Sequence, residues 1–170
     1  MDLAALVRDI PDFPIEGILF KDITTLLRDP RAFQEAVDTL AAHFTGQNVE
    51  QIVAIESRGF IIGAPLAYKL RAGFVPVRKP GKLPAKTISV EYSLEYGTNT
   101  LEIHADAITP GQKVLVVDDL LATGGSAKAA IELVERLGGV VVGVAFMIEL
   151  EFLQGLQKLD GYPVYSLIKF

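Results

Sequence analysis

The sequence predicts an α/β domain built on a central, mostly parallel sheet flanked by helices. Three observations predict it. Short apolar runs at 52–55, 74–77, 114–117, 140–147 and 164–168 alternate with helical patterns, the order expected of strands joined by crossover helices. The run Val114-Leu115-Val116-Val117 is uninterrupted and mostly β-branched, as a strand covered on both faces requires. Half of the 170 residues are hydrophobic, enough to cover both faces of such a sheet within one domain.

Each element follows in chain order. Residues 3–8 suit a short helix, after which Pro11 and Pro14 hold an extended arm. Asp29-Pro30 starts a helix, with Asp as N-cap and Pro in the first turn. Phe33, Ala36, Val37, Leu40, Ala41 and Phe44 follow at helical spacing, and Gly46 closes the unit. A buried strand at 52–55 precedes a helix at 60–70, which carries Pro65, and then a strand at 74–77. Pro80, Gly81 and Pro84 exclude regular structure from 79–87. Ile88, Val90 and Tyr92 alternate with Ser89, Glu91 and Ser93, and Leu101 and Ile103 alternate in turn. These make a hairpin through Gly97-Thr98-Asn99, an insertion between two sheet strands of the kind that forms lids. The 114–117 strand, a helix at 126–137 and strands at 140–147 and 164–168 complete a single domain, 1–170, with no internal repeat.

Composition excludes several chemistries. No cysteine is present, which removes disulfides, thiolate metal sites and a Cys nucleophile and fits a reducing compartment. The start Met1-Asp2-Leu3-Ala4-Ala5 lacks the basic region of a signal peptide. The longest apolar run, 140–148, is interrupted by Gly143 and is too short to span a bilayer. A cytoplasmic protein with no membrane partner is expected. A net charge of −5 provides no general field for nucleic acid. Its distribution is uneven: residues 57–90 hold no acid but seven basic residues, so the rest of the chain carries −12. Lys69 and Arg71 suit a solvated helix face. Arg58 and the group Arg78, Lys79, Lys82 and Lys86 point to a local polyanion site.

The chemistry concentrates after the 114–117 strand, in Asp118-Asp119-Leu120-Leu121-Ala122-Thr123-Gly124-Gly125-Ser126. Ligands of open parallel sheets bind outside the carboxyl ends of the strands. A Gly-rich turn opening a helix cradles anions with its N–H groups. Carboxylates accept from sugar hydroxyls and attract metal ions. Together these describe a ribose phosphate site, phosphate in the 123–126 turn and hydroxyls toward Asp118 and Asp119. The blander alternative is a strand–turn–helix corner with a solvated acid pair. No Lys follows the glycines, as a Walker loop demands, and no Gly-x-Gly-x-x-Gly is present. His43 and His104 have no partner at metal-ligand spacing and are assigned structural or surface roles.

This run resembles the 5-phosphoribosyl-1-pyrophosphate (PRPP) signature of the type I phosphoribosyltransferases. Four further segments, in the family's order, resemble the adenine branch of that family. Glu56-Ser57-Arg58-Gly59 is similar to its pyrophosphate loop, in which a cis non-proline peptide occurs. Arg78-Lys79-Pro80-Gly81-Lys82-Leu83-Pro84, leading to Tyr92-Ser93-Leu94-Glu95-Tyr96-Gly97, is similar to its flexible loop. The arm Asp12-Phe13-Pro14 with Gly17-Ile18-Leu19-Phe20-Lys21-Asp22-Ile23-Thr24, and the segment Met147-Ile148-Glu149-Leu150, are similar to the parts that enclose its base. At Lys21 many members carry Arg. The resemblance runs from about residue 10 to 170.

The resemblance implies the type I phosphoribosyltransferase fold with a small hood, to which residues of about 10–28 contribute, and a flexible hairpin lid at about 79–100. It implies transfer of the phosphoribosyl group from PRPP to adenine, giving AMP and pyrophosphate, a purine salvage reaction. It places the 5-phosphate at Ala122, Thr123, Gly124, Gly125 and Ser126, and the ribose at Asp118 and Asp119. Pyrophosphate falls to Ser57, Arg58, Gly59, Arg78, Lys79 and Lys82. Adenine falls to Leu19, Phe20, Lys21 and Leu150, with Phe20 and Leu150 on opposite faces. Glu95, for proton transfer, and Arg58 are the catalytic candidates. Mg²⁺ is expected, held mainly by PRPP and water rather than by the chain, and a homodimer is expected. Three alternatives stay open on sequence: a transferase for a 6-oxo purine, a PRPP-sensing regulator, and a plain α/β interaction module.

Overall fold

The computed structural model describes residues 1–94 and 96–170. In chain order its elements are β1 (Arg8–Ile10), β2 (Phe20–Asp22), α1 (Thr24–Leu27), α2 (Pro30–Phe44), β3 (Gln51–Ile55), α3 (Arg58–Leu70) and β4 (Gly73–Val77). There follow β5 (Thr87–Ser93), β6 (Thr98–His104), β7 (Lys113–Leu121), α4 (Gly125–Arg136), β8 (Val140–Glu149) and β9 (Val164–Lys169). Five strands form the central sheet in the order β4-β3-β7-β8-β9, every pair parallel.

The two-residue period of a strand divides the core into two layers. Ile52, Ala54, Leu115 and Val117 face one side, where they pack with Leu40 and Phe44 of α2 and Ile62 and Leu66 of α3. Val53, Ile55, Val114 and Val116 face the other, with Ala130, Ile131 and Val134 of α4 and the hairpin residues Val90, Leu101 and Ile103. Gly63 is what lets α3 lie so close to β3: a Cβ there would stand 2.7 Å from the Cβ of Ala54. Asp29 caps α2 as expected, accepting from the N–H groups of Arg31 at 2.9 Å and Ala32 at 3.0 Å.

Several sequence expectations are corrected. The helix expected at 3–8 is a single 3-10 turn, Ala4–Leu6. Arg8 instead opens β1, drawn into register opposite Asp22 by an ion pair of 2.6 Å. The arm is not simply extended. It forms the antiparallel ribbon β1–β2, closed by a loop in which Asp12, at φ 55°, accepts from the Gly17 N–H at 2.8 Å. Helix α3 begins two residues earlier than expected and runs through Pro65 to Leu70. Strand β7 does not stop before the acids. Its pairing with β8 continues through Leu120–Ile148 and Leu121–Glu149, so Asp118 and Asp119 are strand residues. The 3-10 turns Glu151–Leu153 and Gly155–Leu159 and the short α1 carry no strong periodicity in sequence.

The hairpin stem is part of the core rather than a free flap. Val90, Leu101 and Ile103 are buried, and Arg136 of α4 donates to the Ser89 carbonyl at 3.2 Å. The loop 79–86 ahead of it lies almost wholly exposed. Among the described residues, no helix is long and apolar enough to cross a membrane.

Candidate active site

Strands β3 and β7 are neighbours, so the turns that leave their carboxyl ends lie side by side. Between them is a cleft of about 490 Å³ lined by Ser57, Arg58, Lys79, Lys82, Asp118 and Asp119, with Tyr92 and Ser126 at its walls. A larger open hollow, about 580 Å³, lies at the N-terminal turn and the start of α2 and contains neither glycine turn.

The β3 turn is short. The peptide Glu56-Ser57 is cis, and α3 starts at Arg58 with no side-chain cap from Ser57. Gly59 allows that first turn to close on β7. A Cβ there would stand 3.1 Å from Asp118 Oδ1 and 3.2 Å from the Val117 carbonyl.

The two acids differ in their surroundings. Asp119 forms an ion pair with Arg58, Nε to Oδ2 at 2.7 Å. Asp118 is buried, and its Oδ1 accepts the Asp119 N–H at 2.8 Å. Burial, and then the adjacent Asp119 charge, push the Asp118 carboxyl well above the usual carboxylate range, against the pull of Arg58. The pair therefore offers one acceptor held by a cation and one carboxyl that resists ionisation.

The β7 turn presents a helix start without a cap. Gly124, at φ 86°, is the N-cap of α4, no side chain bonds to it, and the first turn holds no acid. First-turn N–H groups left in this way favour an anion. The turn is tightly backed, since a Cβ on Gly124 would stand 2.6 Å from the Gly155 carbonyl. In front, the Tyr92 ring would lie 3.1 Å from a Cβ on Gly125. Thr123 lines an adjoining hollow with Ser93, Leu94, Tyr96 and Lys158.

The base candidates sit on the arm and at the end of β8. Phe20 is half-buried and meets Phe13 edge to face, ring centroids 5.1 Å apart. The Arg58 guanidinium carbon is 5.8 Å from the Phe20 centroid, which ties the arm to the acid pair. Leu19 is exposed. Lys21 Nζ lies 2.6 Å from Asp9 and 4.0 Å from the Phe170 ring centroid, so its side chain is engaged away from Phe20. Leu150 follows β8, its N–H donating to the Leu121 carbonyl at 2.9 Å.

The structure thus gathers Ser57, Arg58, Lys79, Lys82, Asp118, Asp119 and Ser126 around one cleft, with Gly59 and Gly125 shaping its walls. Arg78 is set at the margin, its Nη2 3.5 Å from Glu56. Glu95 lies outside the described residues. Three contributors received no site role from the sequence. Glu56 and Tyr92 fell within the two loop segments but were assigned nothing there, and nothing near Lys158 marks it. Among the described residues, no group of three or more His, Asp or Glu side chains is placed to hold a metal ion. Two carboxylates, one of them occupied by Arg58, suit a Mg²⁺ that arrives with substrate oxygens and water.

Known proteins resemble this chain along nearly its whole length. The family model for the phosphoribosyl transferase domain matches residues 23–163. The adenine phosphoribosyltransferase of Chloroflexus aurantiacus is 60% identical over 169 residues, covering 99% of this chain and 98% of that protein. The crystal structure of adenine phosphoribosyltransferase from Thermoanaerobacter pseudethanolicus superposes with a TM-score of 0.97 at 57% identity, covering 99% of this chain and 98% of that one. The Saccharomyces cerevisiae enzyme, crystallised with adenine and an imino-altritol bisphosphate, superposes with a TM-score of 0.93 at 45% identity, covering 98% and 96%.

Proposed function

The chain belongs to the phosphoribosyltransferase family, in its adenine phosphoribosyltransferase branch, and from that premise we propose that it transfers the 5-phosphoribosyl group of PRPP to adenine. The products are AMP and pyrophosphate, so the reaction is a salvage of free purine. The observation that carries the reading is the single cleft shared by Arg58, Lys79 and Lys82 with Asp118 and Asp119.

In the reaction the bond from C1 of the ribose to pyrophosphate breaks as N9 of adenine bonds to C1, and the N9 proton leaves. Charge builds up on a ribose cation and on the departing pyrophosphate. The chain's part is orientation and charge stabilisation rather than covalent chemistry. The 122–126 turn would take the 5-phosphate, whose charge matches the uncapped start of α4. Asp118 and Asp119 would accept from the ribose hydroxyls. Ser57, Arg58, Gly59, Lys79 and Lys82 would receive pyrophosphate, with Arg78 supporting their loop. Phe20 and Leu150 would cover the purine faces, and the backbone of 19–21 would meet its edge. Glu95 is proposed to take the N9 proton. Mg²⁺ would supply charge neutralisation on PRPP oxygens, which is why few protein ligands are needed.

A 6-oxo purine would need a donor where adenine presents its amino group. Lys21 is the side chain for that task, and its ammonium is already committed to Asp9 and Phe170. This favours adenine. A cytoplasmic homodimer is proposed as well. Exposed Ile61 and Tyr68 on α3 and Phe74 on β4 supply apolar surface for a second copy. Incubating the protein with PRPP, Mg²⁺ and adenine tests the function, with AMP and pyrophosphate expected to appear one for one. No AMP under these conditions would refute it.

A further inference from the structure

Residues 79–86 join β4 to β5 and carry Lys79, Lys82 and Lys86 with no acid. The segment has no strand pairing of its own, and two prolines and a glycine interrupt it. Its shape is imposed from outside, chiefly by one residue of β6. The Glu102 carbonyl accepts from the Arg78 N–H at 3.0 Å, and the Glu102 N–H donates to the Arg78 carbonyl at 2.7 Å. The Glu102 carboxylate reaches further along the loop. Oε1 accepts the Gly81 N–H at 2.9 Å, and Oε2 accepts the Thr87 hydroxyl. Entry, bend and exit all bond to Glu102, and Glu56 adds one contact at the entry, its Oε1 accepting the Lys79 N–H at 2.6 Å. His104, two residues on, receives the Ala85 N–H at Nε2 across 3.3 Å.

Lys79 and Lys82 flank Gly81, and both line the cleft. Ammonium groups on a loop free to wander would have to be ordered each time a polyanion bound, at the cost of affinity. A carboxylate is suited to prevent this. Its hydrogen bonds are charge-assisted, and it offers two oxygens where an aliphatic side chain offers none. We propose that Glu102 is a positioning residue that presets Lys79 and Lys82 for the pyrophosphate group of PRPP and of the product. This rests on the functional reading above and extends it to a residue outside the cleft.

The test compares wild type with Glu102→Ala, Glu102→Gln and Thr87→Val. It measures KM for PRPP, KM for adenine, kcat, and inhibition by added pyrophosphate. Glu102→Ala should raise KM for PRPP and the pyrophosphate inhibition constant roughly tenfold, the scale of one or two charge-assisted hydrogen bonds. Adenine KM and kcat should stay within about threefold of wild type. Glu102→Gln should recover most of the loss, because its amide oxygen still accepts from Gly81 and its NH₂ can donate to the Thr87 hydroxyl. If the alanine variant does not fold, Thr87→Val decides, with a smaller rise confined to the same two constants. Unchanged constants, an equal rise in adenine KM, or a glutamine variant as impaired as alanine would overturn the proposal. Wild type serves as the separate control: without AMP formation the functional reading itself fails, whereas an active wild type with an indifferent Glu102 variant removes only this inference.

Discussion

Nε of Arg58 lies 2.7 Å from Oδ2 of Asp119, and the same guanidinium stands 5.8 Å from the Phe20 ring. One side chain thus spans the cleft from the acid pair to the arm proposed to cover the base. Arg58 is about half exposed, free to turn toward a polyanion, whereas Asp119 is nearly covered.

Arg58→Ala should therefore weaken PRPP and pyrophosphate together, by at least about tenfold, since it removes charge-assisted bonds of ~1.5–3 kcal/mol and leaves Asp119 unpaired. Arg58→Lys should fall between, because it keeps the charge and loses the planar fork. Initial rates at varied PRPP, with pyrophosphate inhibition, check this, and wild-type values in the alanine variant would exclude Arg58 from the site.

Asp118→Asn should separate stability from function. Folding raises the proton affinity of this carboxyl, so its ionised form opposes the fold near neutrality, and the stability thus withheld returns as pH falls. Removing the titratable group should leave Tm at pH 7.5 equal to wild type or higher, while KM for PRPP rises. A lower Tm with unchanged PRPP kinetics would reverse the assignment. Thermal melts and initial rates on the same preparation are sufficient.

Gly124 of the 122–126 turn should not be interchangeable with other glycines at positive φ. Gly46 and Gly124 share φ 86°, but a Cβ on Gly46 meets nothing within 4 Å, whereas on Gly124 it meets the Gly155 carbonyl at 2.6 Å. Gly46→Ala should cost only the backbone strain, about 1–2 kcal/mol, and spare PRPP binding. Gly124→Ala should cost more and also abolish productive PRPP binding. Gly125→Val should mainly displace the Tyr92 ring and weaken PRPP. Equal denaturation midpoints for the Gly46 and Gly124 variants would contradict the packing described.

Acid sensitivity should map in part to the arm. Thr24, by its hydroxyl at 2.7 Å and its N–H at 2.9 Å, and then Arg8, lower the Asp22 carboxyl to about 2. A lowered carboxyl stabilises the fold above its unfolded value, near 3.9, and that contribution is lost as pH falls toward 2. The stability difference between wild type and Asp22→Asn should thus be widest above about pH 5 and nearly vanish by about pH 2. A pH-independent difference in urea unfolding would show that Asp22 acts by shape alone.

Much of the sheet was legible because its strands are continuous apolar runs, as with 52–55 and 114–117. The cleft was legible wherever a motif states its chemistry locally, as Asp118-Asp119 and the turn ending at Ser126 do. What was not legible depends on partners distant in sequence. Nothing local shows that Arg8 pairs with Asp22, so the opening segment looks helical. Nothing in Tyr92 marks it as the wall over Gly125, since that contact exists only once β5 has packed on α4. The strand limit at Asp118 was drawn where apolar residues give way to acids, but β7 is held by its pairing with β8, and pairing ignores side-chain polarity.

The most direct test of the account is competition among adenine, hypoxanthine and guanine at equal concentration with PRPP and Mg²⁺. Stacking of the kind proposed for Phe20 and Leu150 suits any purine, so under this proposal choice comes from edge hydrogen bonds to the 19–21 backbone. Adenine donates at its 6-amino group and accepts at N1, and the 6-oxo purines reverse both. Two mismatches at about 1–3 kcal/mol each predict a preference for adenine of at least about 10²-fold. The preference should survive Lys21→Arg, whereas Phe20→Ala should weaken all bases alike. AMP as nearly the sole nucleotide is the expected result, and comparable formation of IMP or GMP would contradict the account.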